Sequence, residues 1–237
     1  MDKVSEIRRK ESMKALVLLS GGVDSATCLA LAVERYGKDN VIAISSEYGQ
    51  KHSKESEYAQ KIADYYGVKR LVIDLSNTME YSDCSLLKHS NKEIAKGAYS
   101  EQTDGKNPVS TYVPFRNGLF LSVAATIGLS IGASEIWYGA HADDAAGAAY
   151  PDCSMDFVRK MDDAIKEGTA GQITVKAPYA TTNKAGVVKD GLRMGVPYEL
   201  TWSCYEGGEK PCGKCGTCID RAKAFEENGV KDPWEMA

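Results

Sequence analysis

Residues 14–25, KALVLLSGGVDS, decide the fold. Positions 14–19 form a short apolar run without alternation, the pattern of a strand buried on both faces of a parallel sheet. Ser20, Gly21 and Gly22 interrupt it. Asp24 and Ser25 then open a segment in which Leu29, Ala32, Val33 and Tyr36 recur at helical spacing as far as Gly37. A strand that passes through two glycines into a helix suits an anion: backbone N–H groups can approach a phosphate, and the helix N-terminus adds partial positive charge. Ser20 and Ser25 offer hydroxyl donors. Asp24 would repel bare phosphate and makes sense as a holder of Mg²⁺ that bridges phosphate oxygens. The bland alternative is a tight turn with an ordinary helix cap. The chain has neither G-x-x-x-x-G-K-[ST] nor G-x-G-x-x-G at this point, so the loop is not of the kinase type and the dinucleotide reading is weakened.

The alternation continues outward from this loop. A strand is expected over 41–45, an amphipathic helix over 52–66 closed by Gly67, and a strand over 70–75, giving the β-α-β-α-β order of a doubly wound, mostly parallel α/β sheet. Residues 76–110 have weak periodicity and read as a long, mobile insertion over the active face. Further on, helices are expected over 117–131, 154–167, 184–194 and 218–228. Strands are expected over 135–139 and 173–177, a loop over 140–153, and an extended run over 199–203. Residues 1–12 read as a polar extension. No internal repeat or low-complexity linker divides the chain, so one domain over 1–237 is the simplest partition.

The bulk numbers exclude some classes. The chain has 237 residues, 43% hydrophobic and 26% charged, which is globular composition. A formal net charge of −4 argues against a general nucleic-acid binder. No export signal and no apolar stretch of about 18 residues is visible, so a cytoplasmic location without membrane contact is expected.

Seven cysteines, an odd number without an export signal, favour metal binding over disulfides. Cys204, Cys212, Cys215 and Cys218 include two C-x₂-C intervals, with Gly213 and Gly216 permitting tight turns. Four thiolates suit a closed, tetrahedral, structural Zn²⁺ site. A redox-active pair and an iron–sulfur cluster remain alternatives. Cys28 reads as helix packing.

SGGVDS after a hydrophobic strand resembles the pyrophosphate-binding loop of the N-type ATP pyrophosphatases and adenylating amidotransferases. With the cysteine cluster, the chain is similar to the 7-cyano-7-deazaguanine synthases of the queuosine precursor pathway. The segments that carry this are LVLLSGGVDSATCLALA (16–32), YGQKHSKE (48–55), TYVPFRN (111–117), AYPDC (149–153), WSCY with the cysteines (202–218) and DPW (232–234). The pattern departs at Phe115, where the family has glycine, and at Ser154, where it has arginine. Two extra small residues stand between Gly147 and Tyr150.

The resemblance implies an adenine nucleotide α-hydrolase-like fold and an ATP-dependent ligase. It would convert 7-carboxy-7-deazaguanine and ammonia to the nitrile through an adenylated carboxylate and an amide. It also implies a homodimer. On this basis ATP would lie along Leu18, Leu19, Ser20, Gly21, Gly22, Val23, Asp24, Ser25, Ala26, Thr27 and Cys28. Asp24, Lys51, Arg116 and Asp144 would carry the chemistry. His52, Arg116, Asn117, Tyr150 and Asp152 would meet the substrate.

Several of these residues have an ordinary alternative. Lys51 and His52 could be a solvated helix start, and Arg116 a surface ion pair. Asp144 could share Mg²⁺ with Asp24, contact the base, or be a plain loop acid. Asp152 could accept from the base's N1–H and N2–H₂ edge or cap the following helix. Competing functions are an amide ligase on the same scaffold that uses another amine, and a zinc-bearing nucleotide-binding module.

Overall fold

The computed structural model describes residues 14–235, so the polar extension at 1–12 lies outside the described residues. Five strands, β1 (Ala15–Leu18), β2 (Val41–Glu47), β3 (Lys69–Asp74), β4 (Glu135–Trp137) and β5 (Thr174–Lys176), form one parallel sheet in the order β3-β2-β1-β4-β5. β1 is central because its side chains are apolar on both faces: Ala15, Leu16 and Val17 are fully buried. The chain leaves β1 toward β2 on one side and later returns to place β4 on the other. That reversal opens a crevice at the strands' carboxyl ends, where ligands of doubly wound sheets sit.

Among the described residues six longer helices cover the sheet: α1 (Val23–Tyr36), α2 (Lys54–Tyr66), α3 (Arg116–Ile131), α4 (Met155–Gly168), α5 (Lys184–Met194) and α6 (Gly216–Glu227). Helix α1 buries Ala26, Leu29 and Ala32 and ends at Gly37, whose N–H donates to the Val33 carbonyl at 2.8 Å. Its Thr27 hydroxyl bonds the Val23 carbonyl and the Tyr198 hydroxyl, both at 2.8 Å. Helix α4 begins as the sequence suggests, with the Ser154 hydroxyl accepting from the Phe157 N–H at 3.1 Å. Phe115, just ahead of α3, holds φ 52°, a left-handed conformation that costs a side chain little only when it is glycine.

Two segments differ from expectation. The extended run at 199–203 is a short 3-10 turn, Tyr198–Leu200, followed by irregular chain. It cannot join the sheet because it crosses beneath the glycine loop, where the Trp202 N–H donates to the Gly21 carbonyl at 2.8 Å. The 76–110 insertion is anchored over part of its length: Met79, Leu86, Leu87, Ile94 and Tyr99 are buried, and the Gly97 N–H donates to the Lys214 carbonyl at 2.9 Å, docking it on the cysteine-bearing segment.

The C-terminal end is held by Arg221, which is wholly buried. Its guanidinium donates to both Asp232 carboxylate oxygens at 2.7 and 2.9 Å and lies over the Trp234 ring at 3.5 Å. Trp234 in turn packs on Trp202, with ring centroids 5.2 Å apart. Among the described residues no helix is long and apolar enough to cross a membrane.

Candidate active site

The crevice holds one cavity, lined by the loop after β1, the ends of β2 and β4, the starts of α2, α3 and α5, and the segment 202–205. Ser20 and Ser25 shape the loop. Their hydroxyls lie 3.1 Å apart, and the Ser25 oxygen accepts from the Ser20 N–H at 3.2 Å. Gly21 has φ +87°, and a Cβ there would sit 2.6 Å from the Ala59 nitrogen and the Glu55 carbonyl oxygen. Only glycine therefore lets α2 pack so close to the loop. Gly139, just past β4, is equally constrained, because a Cβ would meet the Asp24 carbonyl at 2.8 Å.

At the cavity floor four ionisable side chains converge. The Lys184 ammonium, at the first position of α5, donates to Asp24 Oδ2 at 2.8 Å. His141 Nε2 is 3.5 Å from the same ammonium, 3.3 Å from Asp144 Oδ2 and 3.7 Å from Asp24 Oδ2. Lys184 and His141 are buried, whereas Asp24 keeps 22% of its side chain exposed. Burial works to raise the Asp24 carboxyl, but Lys184 and His141 outweigh it and hold it below the usual range. For Asp144 burial prevails over His141 and Lys184, and its carboxyl is pushed up. Asp24 Oδ1 is sealed from solvent with no partner among the described residues.

The side wall is aromatic. The Tyr99 and Tyr205 hydroxyls are 2.7 Å apart, Tyr205 and Tyr150 3.3 Å, and Tyr150 bonds the Thr111 hydroxyl at 2.6 Å. Arg116 opens α3, donates to the Tyr48 hydroxyl at 3.0 Å and lies over that ring. Asn117 reaches the Cys153 sulfur at 3.2 Å.

Of the residues singled out from sequence, Leu18, Leu19, Ser20, Gly22, Asp24, Ser25, Arg116, Asn117, Asp144 and Tyr150 line this cavity. Gly21 is turned against α2, while Val23, Ala26, Thr27 and Cys28 face the core. Lys51 does not border the cavity; its amine donates to the Lys92 carbonyl at 2.9 Å. His52 packs against Gly207. Asp152 is buried outside the cavity and accepts from the Asn117 N–H at 2.9 Å, which caps α3 rather than the helix that follows Asp152.

Sequence reasoning missed Lys184, Tyr99 and Tyr205. For Lys184 a signal existed: a cation at the first position of a helix opposes the macrodipole and needs an anion or a carboxylate to hold it.

Cys204, Cys212, Cys215 and Cys218 bring their sulfurs within 4.8 Å of one another. A tetrahedral metal with bonds of about 2.3 Å needs sulfurs about 3.8 Å apart, so the cluster fits a metal such as zinc. The backbone N–H groups of Cys212 and Cys215 point at the Cys204 and Cys212 sulfurs, both at 3.3 Å, a contact that favours the thiolate form. The cluster also bears on the cavity, because Trp202, Ser203, Tyr205 and Thr217 line it from positions beside these ligands.

A family model described as "Queuosine biosynthesis protein QueC" matches residues 14–229. A 7-cyano-7-deazaguanine synthase of Archaeoglobus fulgidus is 45% identical over 93% of this chain and 89% of its own length. The corresponding synthase of Psychromonas ingrahamii is 41% identical over 94% and 97%. Among solved structures, the U34-tRNA thiolase NcsA of Methanococcus maripaludis superposes with TM-score 0.51 at 17% identity, over 95% of this chain and 74% of that one. An NMN synthetase of Francisella tularensis gives TM-score 0.52 at 13% identity, over 93% and 79%. These two likenesses establish the adenine nucleotide α-hydrolase-like fold alone. With a family model over most of its length and relatives above two-fifths identity, this chain belongs to the QueC family of queuosine-biosynthesis enzymes.

Proposed function

We propose that the chain converts 7-carboxy-7-deazaguanine and ammonia to 7-cyano-7-deazaguanine, using two ATP. The observation that carries this reading is the Lys184–Asp24 pair on the floor of a cavity walled by the Ser20–Ser25 loop. A cation and a half-free carboxylate beside a helix N-terminus suit a Mg²⁺-bound triphosphate whose pyrophosphate departs. The loop and α1 bind the leaving pyrophosphate, Lys184 neutralises charge that grows there, and Arg116 faces the reacting carboxylate.

A carboxylate is a poor electrophile. Its oxygen attacks the α-phosphorus, pyrophosphate leaves, and ammonia then displaces AMP to give an amide. The amide oxygen attacks a second ATP, pyrophosphate leaves again, and loss of AMP with two nitrogen protons leaves the nitrile. The protein's share is to hold the reactants in line and exclude water. Asp24, through its unpartnered Oδ1, and Asp144 would hold Mg²⁺, which neutralises phosphate charge when bound. The four cysteines would hold Zn²⁺, which staples the segment carrying Trp202 and Tyr205.

The test is the nucleotide balance. AMP and pyrophosphate should form only when the acid is present. ADP and inorganic phosphate would overturn the adenylation reading.

A further inference from the structure

Among the described residues three carboxylates border the cavity: Asp24, Glu55 and Asp144. Asp24 is committed to Lys184, and Asp144 lies against His141. Glu55, in the first turn of α2, has no hydrogen-bond or ion-pair partner among the described residues; the charges it feels are those of Arg116 and His52. Glu55 is only partly buried, so water can satisfy its oxygens until a ligand with paired donors displaces that water. Asp152, the acceptor expected from sequence, accepts from the Asn117 N–H and does not line the cavity.

We propose that Glu55 is the specificity-determining acceptor for the 2-aminopyrimidin-4-one edge of the substrate base, an inference that rests on the deazaguanine reading above. The chemistry is geometric. A guanine-type base presents N1–H and one N2–H side by side, and a carboxylate presents two acceptor oxygens at matching separation. Of the other lining groups, the Asp24 and Asp144 carboxylates already meet Lys184 and His141, and Gln50 and Asn117 bring one amide oxygen each. Tyr48, Tyr99, Tyr138, Tyr150 and Tyr205 give one hydroxyl each, and Arg116 offers only donors.

The ordinary alternative is a first-turn acid that merely favours the α2 dipole. In that case Glu55 would affect folding and leave base discrimination untouched. A second alternative is that Glu55 accepts from the ribose hydroxyls of ATP.

The experiment is equilibrium binding to the full-length chain of 7-carboxy-7-deazaguanine and its counterpart lacking the 2-amino group, with ATP affinity measured in parallel. The wild-type protein should prefer the amino form by about 10- to 100-fold, the range set by losing a hydrogen bond to a charged group. Glu55→Gln turns one acceptor into a donor facing a donor edge. It should collapse the preference to about twofold while ATP affinity changes by less than about threefold. Glu55→Asp keeps the charge and should restore part of the preference. An unchanged preference in Glu55→Gln would refute the assignment, as would an ATP affinity that falls by the same factor as base affinity. Wild-type protein that discriminates between the bases yet releases no AMP would overturn the adenylation reading and leave this assignment standing.

Discussion

Replacing Lys184 with methionine keeps the aliphatic stem of a buried side chain and deletes only the ammonium that meets Asp24 Oδ2 at 2.8 Å. Removing one partner of a buried ion pair generally costs about 3–5 kcal/mol, because the other charge is left uncompensated. Here the cost is reduced by two features: Asp24 is 22% exposed, and His141 Nε2 remains 3.7 Å away. A loss of about 2–3 kcal/mol follows, which for a chain of this size lowers Tm by about 4–12 °C.

The loss also depends on pH. Lys184 and His141 hold the Asp24 carboxyl below its ordinary value against the upward push of burial. A depressed carboxyl stabilises the fold above its unfolded pKa, and the benefit disappears as pH falls through the folded value. The gap between wild type and variant should therefore be full at pH 7 and close below about pH 4. Urea titrations at several pH values measure it. The double variant Asp24→Asn with Lys184→Met has no stranded charge. It should regain most of the lost stability and none of the activity, since pyrophosphate release without the cation should fall by about 10²–10³. A double variant no more stable than the single one would refute the account of this pair.

Gly21→Ala should destabilise the chain by about 2 kcal/mol or more in urea titrations, since the left-handed φ and a contact of 2.6 Å on α2 both oppose a Cβ; a neutral result would mean that α2 can retreat. Cys215→Ser should lower zinc content from one per chain toward zero and lower Tm, with iron or no metal in the wild-type protein counting against the zinc reading. Tyr205→Phe removes the hydroxyl between Tyr99 and Tyr150 at a cost of about 1–2 kcal/mol, read by thermal melts, and should weaken base binding less than Glu55→Gln does.

The sheet was legible because its inner strands β1 and β2 open as apolar runs that end at Gly-rich or polar turns. The central position of β1 follows from Leu16 and Val17 having no polar face to turn outward. The cysteine cluster was legible from spacing alone. Much of the site was not. Tyr99 sits in a stretch without periodicity, and it reaches the cavity only because Gly97 docks on Lys214. Lys184 reaches Asp24 across a separation of 160 residues. No local pattern announces such a pair, although its placement against the dipole of α5 is a local oddity. Lys51 and Asp152 show the converse. Their motifs were readable, but side-chain direction was not: the Lys92 carbonyl takes the amine of one, and the start of α3 takes the carboxylate of the other.

The most direct measurement follows both oxygens of the substrate carboxylate. With ¹⁸O in both positions, and ATP, Mg²⁺ and ammonium supplied, each adenylation must carry one labelled oxygen into AMP. The expected result is the nitrile, with two AMP formed per product and one ¹⁸O in each. Label recovered in inorganic phosphate beside ADP would contradict the account, as would a reaction that stops at the amide after one labelled AMP.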